Sequence, residues 1–215
     1  MAGLIILLPL VIHKPGRGTG KHKSFSLFRP LLYFGFIGLA FLLVEIPLLQ
    51  RFILYLGNPA YALTTVLFSI LLFSAIGSQV SHRIHHLLSL VTLAVVVLIA
   101  PYCLPYIFSH TLGLSLSIRV LITILILAPI GFLMGIPFPA GIQWLQGLST
   151  DRQPADEHLQ IPWAWATNGA ASVVSSILAA LLALTFGFNW VLRLGAFFYA
   201  GALFTVLIPP RSLHQ

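Results

Sequence analysis

Residues 87–99 read LLSLVTLAVVVLI and residues 121–134 read LITILILAPIGFLM, and these two apolar runs decide the fold. In lipid every backbone N–H and C=O must be satisfied within the structure, so only helices and closed barrels cross a membrane. A barrel would show strands of about ten residues with alternating polarity. Neither run alternates in this way, so the pattern predicts an all-α, polytopic transmembrane helix bundle.

The composition of the whole chain agrees with this prediction. Of its 215 residues, 59% are hydrophobic and 7% are charged, whereas an ordinary soluble domain has about 25% charged residues. Such a small number of charged residues cannot cover a water-exposed surface. We therefore predict that the chain is embedded in a lipid bilayer. The net charge of +7 comes mainly from residues between the apolar runs, which indicates a membrane surface and not a nucleic-acid partner.

Six apolar segments are long enough to span a bilayer, for which a helix needs about 20 residues. They are residues 31–56, 61–80, 87–108, 118–138, 162–186 and 190–208. Residues 1–12 are also apolar, but they are too few to span alone, so we expect a short N-terminal span. We divide the chain into 1–30, a short apolar segment with a basic cytoplasmic loop, 31–208, the transmembrane helical domain, and 209–215, a cytoplasmic tail.

Lysines and arginines in the loops predict the orientation, because cytoplasmic loops carry an excess of them. If the loop after the short first segment is cytoplasmic, that side holds eight basic residues and the other side holds three. The eight are Lys14, Arg17, Lys21, Lys23, Arg29, Arg83, Arg152 and Arg211, and the three are Arg51, Arg119 and Arg193. The count predicts a multi-pass protein with its N-terminus outside and its C-terminus in the cytoplasm.

Glu45 is the most informative residue, because it is an acid within the apolar stretch LLVEIPLLQR (42–51). A charge at the bilayer centre costs about 2.5–3.5 kcal/mol on insertion scales. Glu45 is therefore expected to face the bundle interior, to be protonated or to have a partner. Two roles stay open: a site for a proton, a cation or a polar substrate, and a structural hydrogen bond between helices. Gln50 and Arg51 follow, and Arg51 is expected to reach the headgroups at the outer end.

The stretch GFLMGIPFPAG (131–141) contains Gly135, Pro137 and Pro139, which interrupt a regular helix. A broken helix in a membrane lines a cavity or packs against protein, and in transporters it can mark a binding site. A plain helix end is the simpler interpretation. The stretch 141–161 holds three of the four acids and is predicted to be a loop.

Pro162 is expected to open the segment 162–186, because proline lacks a backbone N–H and the N–H groups at a helix start have no partner within the helix. Asn168, near the start, is either a polar contact for a substrate or structural glue between helices. Small residues then recur four apart on one face, which permits another helix to approach closely. This packing face comprises Ala171, Ser175, Ala179 and Ala183.

His82, His85 and His86 lie together in a short loop. Two histidines four apart on a helix can ligate a metal, but no acid or cysteine lies nearby in sequence to complete the site. Interfacial positive charge is therefore the preferred interpretation. The sequence contains no P-loop, GxGxxG, GxSxG or HExxH pattern, so we predict no catalytic residue, no cofactor and no metal.

Three stretches carry a family resemblance. They are FLLVEIPLLQRFILYLGNPAYALTTVLFSILLFSAIGS (41–78), APIGFLMGIPFPAGIQWL (128–145) and PWAWATNGAASVVSSILAALLALTFGF (162–188). Together they resemble the C-terminal transmembrane region of bacterial spermidine-synthase-like (polyamine aminopropyltransferase-like) membrane proteins, over about residues 31–208. The matching positions are Glu45, Gln50, Arg51, Pro137, Pro139, Trp163, Trp165, Asn168 and Gly169.

The resemblance implies the bacterial inner membrane. Proteins of that family join hydrophobic helices to a soluble aminopropyltransferase-type domain, which would bind decarboxylated S-adenosylmethionine and a polyamine. Nothing in this chain matches the soluble domain, so none of its catalytic residues can be assigned here. The chain also departs from the family pattern at Gln143-Trp144, where a basic residue is expected, and this weakens the idea of a phosphate- or headgroup-binding loop.

These observations lead to three hypotheses of function. The first is a non-catalytic integral membrane module, an anchoring or accessory subunit whose partners are other membrane subunits or a soluble chain. The second is a transporter, or half of one, for a polyamine or another cation that uses Glu45. The third is the membrane half of an aminopropyltransferase split over two chains.

Overall fold

The computed structural model describes residues 28–149 and 154–207 of the chain. This part contains seven α-helices and one short 3-10 turn, Ser81–Arg83, and no strand. The helices are α1 (Phe28–Leu56), α2 (Pro59–Val80), α3 (His86–Thr111), α4 (Leu116–Gly135), α5 (Pro137–Ser149), α6 (Pro154–Phe186) and α7 (Phe188–Leu207). The predicted all-α fold is therefore confirmed.

Six helical stretches of the described part are long and apolar enough to cross a membrane. Five of them correspond to α1, α2, α3, α6 and α7, and the sixth combines α4 with most of α5. This number agrees with the six full spans predicted from the sequence. The expected short span at 1–12, the basic loop and the tail at 209–215 lie outside the described residues.

The prediction of a loop over 141–161 is wrong for most of that stretch. α5 continues to Ser149 and α6 already begins at Pro154. Pro162 consequently lies inside α6 instead of opening it. A proline inside a membrane-spanning helix is tolerated where neighbouring groups satisfy the carbonyl that it leaves free, and the polar residues around it do not by themselves end a helix.

Two tight turns lie in gaps between the predicted apolar segments, at 57–60 and 187–189. Gly57 has a φ of +74° and Gly187 a φ of +80°, a left-handed conformation that glycine adopts without steric cost. Beyond Gly57, the Asn58 side chain accepts a hydrogen bond of 2.9 Å from the backbone N–H of Ala60 and caps α2. These turns make α1 antiparallel to α2 and α6 antiparallel to α7.

α1 lies at the centre of the bundle. It packs most extensively against α6 and α7, and less extensively against α2, α4 and α5. Half of its most apolar window is buried, whereas the corresponding value for α6 is 11%. Since lipid tails are as apolar as leucine, close packing and hydrogen bonds, and not exclusion of water, hold helices together in a membrane.

Glycines set the closest contacts between helices. A Cβ added at Gly77 of α2 would overlap the carbonyl oxygen of Phe132 in α4, and one added at Gly135 of α4 would overlap the carbonyl oxygen of Ser74 in α2. At Gly38 of α1 it would meet the backbone of Asn168 in α6. Such small-residue crossings let backbones approach closely, which is typical of membrane helix pairs.

Two arginines cap helices other than their own. Arg29 donates a hydrogen bond of 2.8 Å from Nη2 to the carbonyl oxygen of Thr205, in the last turn of α7. Arg119 donates one of 2.8 Å from Nη1 to the carbonyl oxygen of Tyr55, in the last turn of α1. The last carbonyls of a helix have no partner within it, so both cations stabilise helix ends.

Replacing Gly77 by Ala should lower the free energy of unfolding by about 1–3 kcal/mol, because the methyl group overlaps the backbone of α4. The measurement is SDS-induced unfolding in mixed micelles, followed by circular dichroism. Gly169→Ala is the matched control: it lies on a helix with no atom within 4 Å of the added Cβ, so it should be neutral or stabilising by up to about 1 kcal/mol. Equal effects of the two substitutions would contradict the proposed close contact.

Candidate functional site

A cleft of about 590 Å³ lies beside α1, where α4 ends and α5 begins. Ligand-binding sites in proteins have volumes of about 300–1,000 Å³, so this space is large enough for a small molecule. Its lining is mostly apolar and includes a few polar groups. The lining residues are Ile37, Phe41, Leu42, Leu71, Ser74, Ala75, Ser78, Met134, Gly135, Pro137, Phe138, Pro139, Trp165, Asn168, Ser172 and Tyr199.

The cleft is open between α2 and α6. Both helices flank α1, but they do not pack extensively against each other. Leu71 on the α2 side and Trp165 on the α6 side are each 61% exposed at its rim. Because both rims lie on membrane-spanning helices, the opening faces sideways, toward lipid.

The interrupted helix forms one wall of the cleft. α4 ends at Gly135, Ile136 forms a bend with φ −79° and ψ −42°, and α5 starts at Pro137, with Pro139 in its first turn. A helix does end at Gly135, and a second helix follows at once. Gly135, Pro137 and Pro139 all line the cleft, as a broken membrane helix that borders a cavity would.

Tyr199 of α7 reaches the cleft from the core. Its side chain is 1% exposed, yet its hydroxyl makes no hydrogen bond within the described residues. Tyr199 is one of the residues that line the cleft. A buried hydroxyl without a partner is costly, which makes Tyr199 a candidate for contact with a bound molecule.

Asn168 lines the cleft from α6. Its backbone carbonyl accepts a hydrogen bond of 2.9 Å from the Ser172 hydroxyl, which also lies 3.2 Å from the carbonyl oxygen of Gly38. The side-chain amide of Asn168, in contrast, makes no hydrogen bond within the described part of the chain. The Ser172 hydroxyl therefore links α6 to α1 at Gly38, while the side-chain amide of Asn168 remains available to a ligand.

Glu45 is half-buried and does not line the cleft. Successive helical residues are about 100° apart, so Glu45 projects about 40° from Phe41, one turn farther from the α4–α5 break. Its carboxylate is close enough to the Tyr199 hydroxyl to interact with it electrostatically. Among the described residues it has no hydrogen bond and no ion pair, so neither a cation nor a backbone group of this part of the chain satisfies it.

Gln50 and Arg51 lie away from the cleft. Gln50 is exposed, and the Arg51 guanidinium donates a hydrogen bond to the side-chain oxygen of Asn189 at the start of α7. Arg51 therefore links two helices near the end of α1 that leads into the turn at Gly57. The structure does not bring Gln50 or Arg51 together with Glu45.

The small-residue face of α6 points toward α1. Ser175 and Ala179 are fully buried, and the Ser175 hydroxyl donates a hydrogen bond of 2.6 Å to the carbonyl oxygen of Leu39. Ala171 lies beside Gly38, and Ala183 packs at the edge of the cluster around Leu43 and Val191. This face brings α6 close to α1 and leaves the opposite face of α6 uncovered.

Tyr33 is a polar contact that the sequence reasoning missed. Its hydroxyl donates a hydrogen bond of 2.7 Å to the carbonyl oxygen of Pro137 and lies 2.8 Å from Nε2 of His86. Since the only hydroxyl hydrogen is donated to Pro137, the hydroxyl oxygen accepts from an Nε2–H of His86. One tyrosine thus ties α1 to the start of α3 and to the helix break. The sequence feature that could have indicated this contact is a tyrosine, with its polar hydroxyl, inside an apolar segment.

The described residues contain no group of three or more His, Cys, Asp or Glu side chains that could hold a metal ion. His86 is engaged with Tyr33, and the ring of His82 accepts a hydrogen bond of 3.3 Å from Arg83. The three histidines of this turn therefore do not converge on one point.

No protein-family model matches this chain, and no curated protein or solved structure matches it either.

Replacing Tyr33 by Phe should lower the free energy of unfolding by about 1–3 kcal/mol, because it leaves the Pro137 carbonyl and the His86 Nε2–H without a partner. The same SDS titration measures the change. Tyr61→Phe is the control, since that ring is 55% exposed and its hydroxyl makes no hydrogen bond within the described residues. If both variants unfold like the parent protein, the Tyr33 contact does not stabilise the helix break.

Proposed function

We propose that this chain is a non-catalytic membrane module, an anchoring or accessory subunit of a larger membrane complex. We place it in the bacterial inner membrane with its N-terminus outside and its C-terminus in the cytoplasm. The eight-to-three distribution of lysines and arginines between the two sides favours this orientation. The resemblance to spermidine-synthase-like membrane proteins favours the bacterial location.

The observation that carries the proposal is the unsatisfied carboxyl group of Glu45. It lies on α1, one turn beyond the open cleft between α2 and α6, without a hydrogen bond or ion pair in the described chain. An acid at membrane depth costs about 2.5–3.5 kcal/mol on insertion scales unless it meets a polar group. A polar or basic side chain of another subunit, inserted between α2 and α6, would remove this cost.

The outer face of α6 supports the same proposal. Only 11% of its most apolar window is buried within the described structure. Val173, Ile177, Leu181 and Leu184 are exposed along this face, with exposed fractions between 56% and 87%. A long helix held on one side only offers a second subunit a continuous apolar surface next to the cleft that Glu45 borders.

Glu45→Leu should release partner subunits from the complex, because leucine removes the group that the partner satisfies. The experiment is affinity purification of the tagged full chain from its native membrane in mild detergent, followed by native gel electrophoresis and mass spectrometry. We expect at least about a tenfold loss of partner, equivalent to about 1.4 kcal/mol.

Gln50→Leu is the matched control, since it removes an exposed polar side chain from the same helix, away from the cleft. Partner recovery should stay unchanged in this variant. Recovery of the chain without any partner, or equal recovery with Glu45→Leu, would overturn the accessory role. A soluble aminopropyltransferase-like protein as the released partner would identify the chain as the membrane half of a split enzyme.

A second candidate function is transport of a polyamine or another cation. The cleft beside an interrupted helix favours it, since broken helices form substrate sites in transporters, and Glu45 would supply a counter-charge near Tyr199. In proteoliposomes, Glu45→Gln should reduce uptake of labelled spermidine by about tenfold or more, because glutamine cannot form an ion pair with the polyamine. Glu45→Asp, which keeps the carboxylate, should retain most uptake. Unchanged uptake in Glu45→Gln excludes Glu45 from transport.

A further inference from the structure

Two polar groups that line the cleft, on two different helices, have no side-chain hydrogen bond within the described residues. The Tyr199 hydroxyl comes from α7, and its side chain is 1% exposed. The Asn168 amide comes from α6 and makes no hydrogen bond with described residues. The remaining polar groups of the lining are hydroxyls, and those of Ser74 and Ser172 are satisfied by backbone carbonyls. The Ser78 hydroxyl makes no hydrogen bond within the described residues, but this residue is exposed. Tyr199 and Asn168 are therefore the two less exposed groups of the lining that a ligand can satisfy.

The lining carries no formal charge. Glu45 lies one helical turn outside it, and no lysine, arginine or histidine of the described residues contributes to it. A charged molecule would lose its hydration in this cleft without meeting a counter-ion in the wall, and burial of an unpaired charge is strongly unfavourable. The composition of the wall therefore favours an uncharged ligand over the cation of the second candidate function, which would have to reach Glu45 outside the lining.

Aromatic side chains dominate the part of the cleft near the helix break. Phe41, Phe138 and Trp165 all belong to its lining, and the rings of Phe138 and Trp165 lie 4.4 Å apart, edge to face. Such rings favour contact with another flat, polarisable ring. The open side between α2 and α6 leads into lipid, so an apolar tail can remain between the two rims.

We propose that the cleft binds an uncharged, quinone-type molecule from the bilayer. Its flat ring lies against Phe138 and Trp165, and one carbonyl oxygen accepts hydrogen bonds from the Tyr199 hydroxyl and the Asn168 amide. This assignment satisfies both unpartnered groups and keeps every remaining ligand atom in an apolar environment. It does not depend on the accessory role or on a role for Glu45.

The test uses the full chain in lipid nanodiscs and decylubiquinone as the probe, titrated while tryptophan fluorescence is recorded. Trp165 at the rim should be quenched with saturation, and Trp165→Phe should remove most of that saturable change. Tyr199→Phe, which deletes one oxygen atom, should weaken binding by about tenfold, and Asn168→Leu by a similar factor. Tyr102→Phe, an exposed tyrosine outside the cleft, should bind like the parent chain.

Asn168→Leu is interpreted only if its thermal unfolding matches that of the parent, since Asn168 lies at the close contact with Gly38. If Asn168→Leu does not fold, the affinity of Tyr199→Phe for decylubiquinone alone tests the proposal. Quenching without saturation, or equal affinity in Tyr199→Phe and the parent, would overturn the proposal. Competition by spermidine that depends on Tyr199 would also overturn it, in favour of a cation site. Loss of partner subunits in Glu45→Leu with intact quinone binding separates this inference from the accessory role.

Discussion

The close backbone contacts at a few glycines determine how the bundle is arranged. Gly38 lets α6 lie against α1, while Gly77 and Gly135 let α2 lie against α4. Side chains at these positions would push the helices apart by the width of a methyl group, and lipid offers no hydrophobic force to compensate. Because α2 is held to α4 and α6 to α1, these two helices stay apart, and the cleft is the space left between them.

The polar groups of the bundle fall into two sets that differ in what satisfies them. Tyr33, Ser172 and Ser175 bond to backbone carbonyls of neighbouring helices and stabilise the packing. Tyr199, Asn168 and Glu45 lie in or beside the cleft, and their side chains make no hydrogen bond within the part of the chain that the structure describes. In a low-dielectric interior the unsatisfied set is the costly one. It is therefore the set from which we derive the partner and ligand of this protein.

The proposed partner subunit and the proposed quinone-type ligand would bind in the same region of the bundle, at different positions along α1. The quinone-type ligand occupies the lined part of the cleft, near the α4–α5 break. A partner subunit would meet Glu45 one turn farther along α1 and cover the outer face of α6. The two events are compatible, because a subunit placed beside the cleft would close its lateral opening without filling it.

The sequence alone determined the helical fold and the six spans, because in lipid a long apolar run has one common way to satisfy its backbone. It also indicated Glu45, the break at Gly135, Pro137 and Pro139, and the small-residue face of α6, since each is a local departure from an apolar pattern. It did not determine that 141–149 is helical, because polar residues and a nearby proline are compatible with helix and loop alike. Only the tertiary structure decided that Tyr33 is satisfied and Tyr199 is not, since both are tyrosines within apolar helices and differ solely in what distant residues bring next to them.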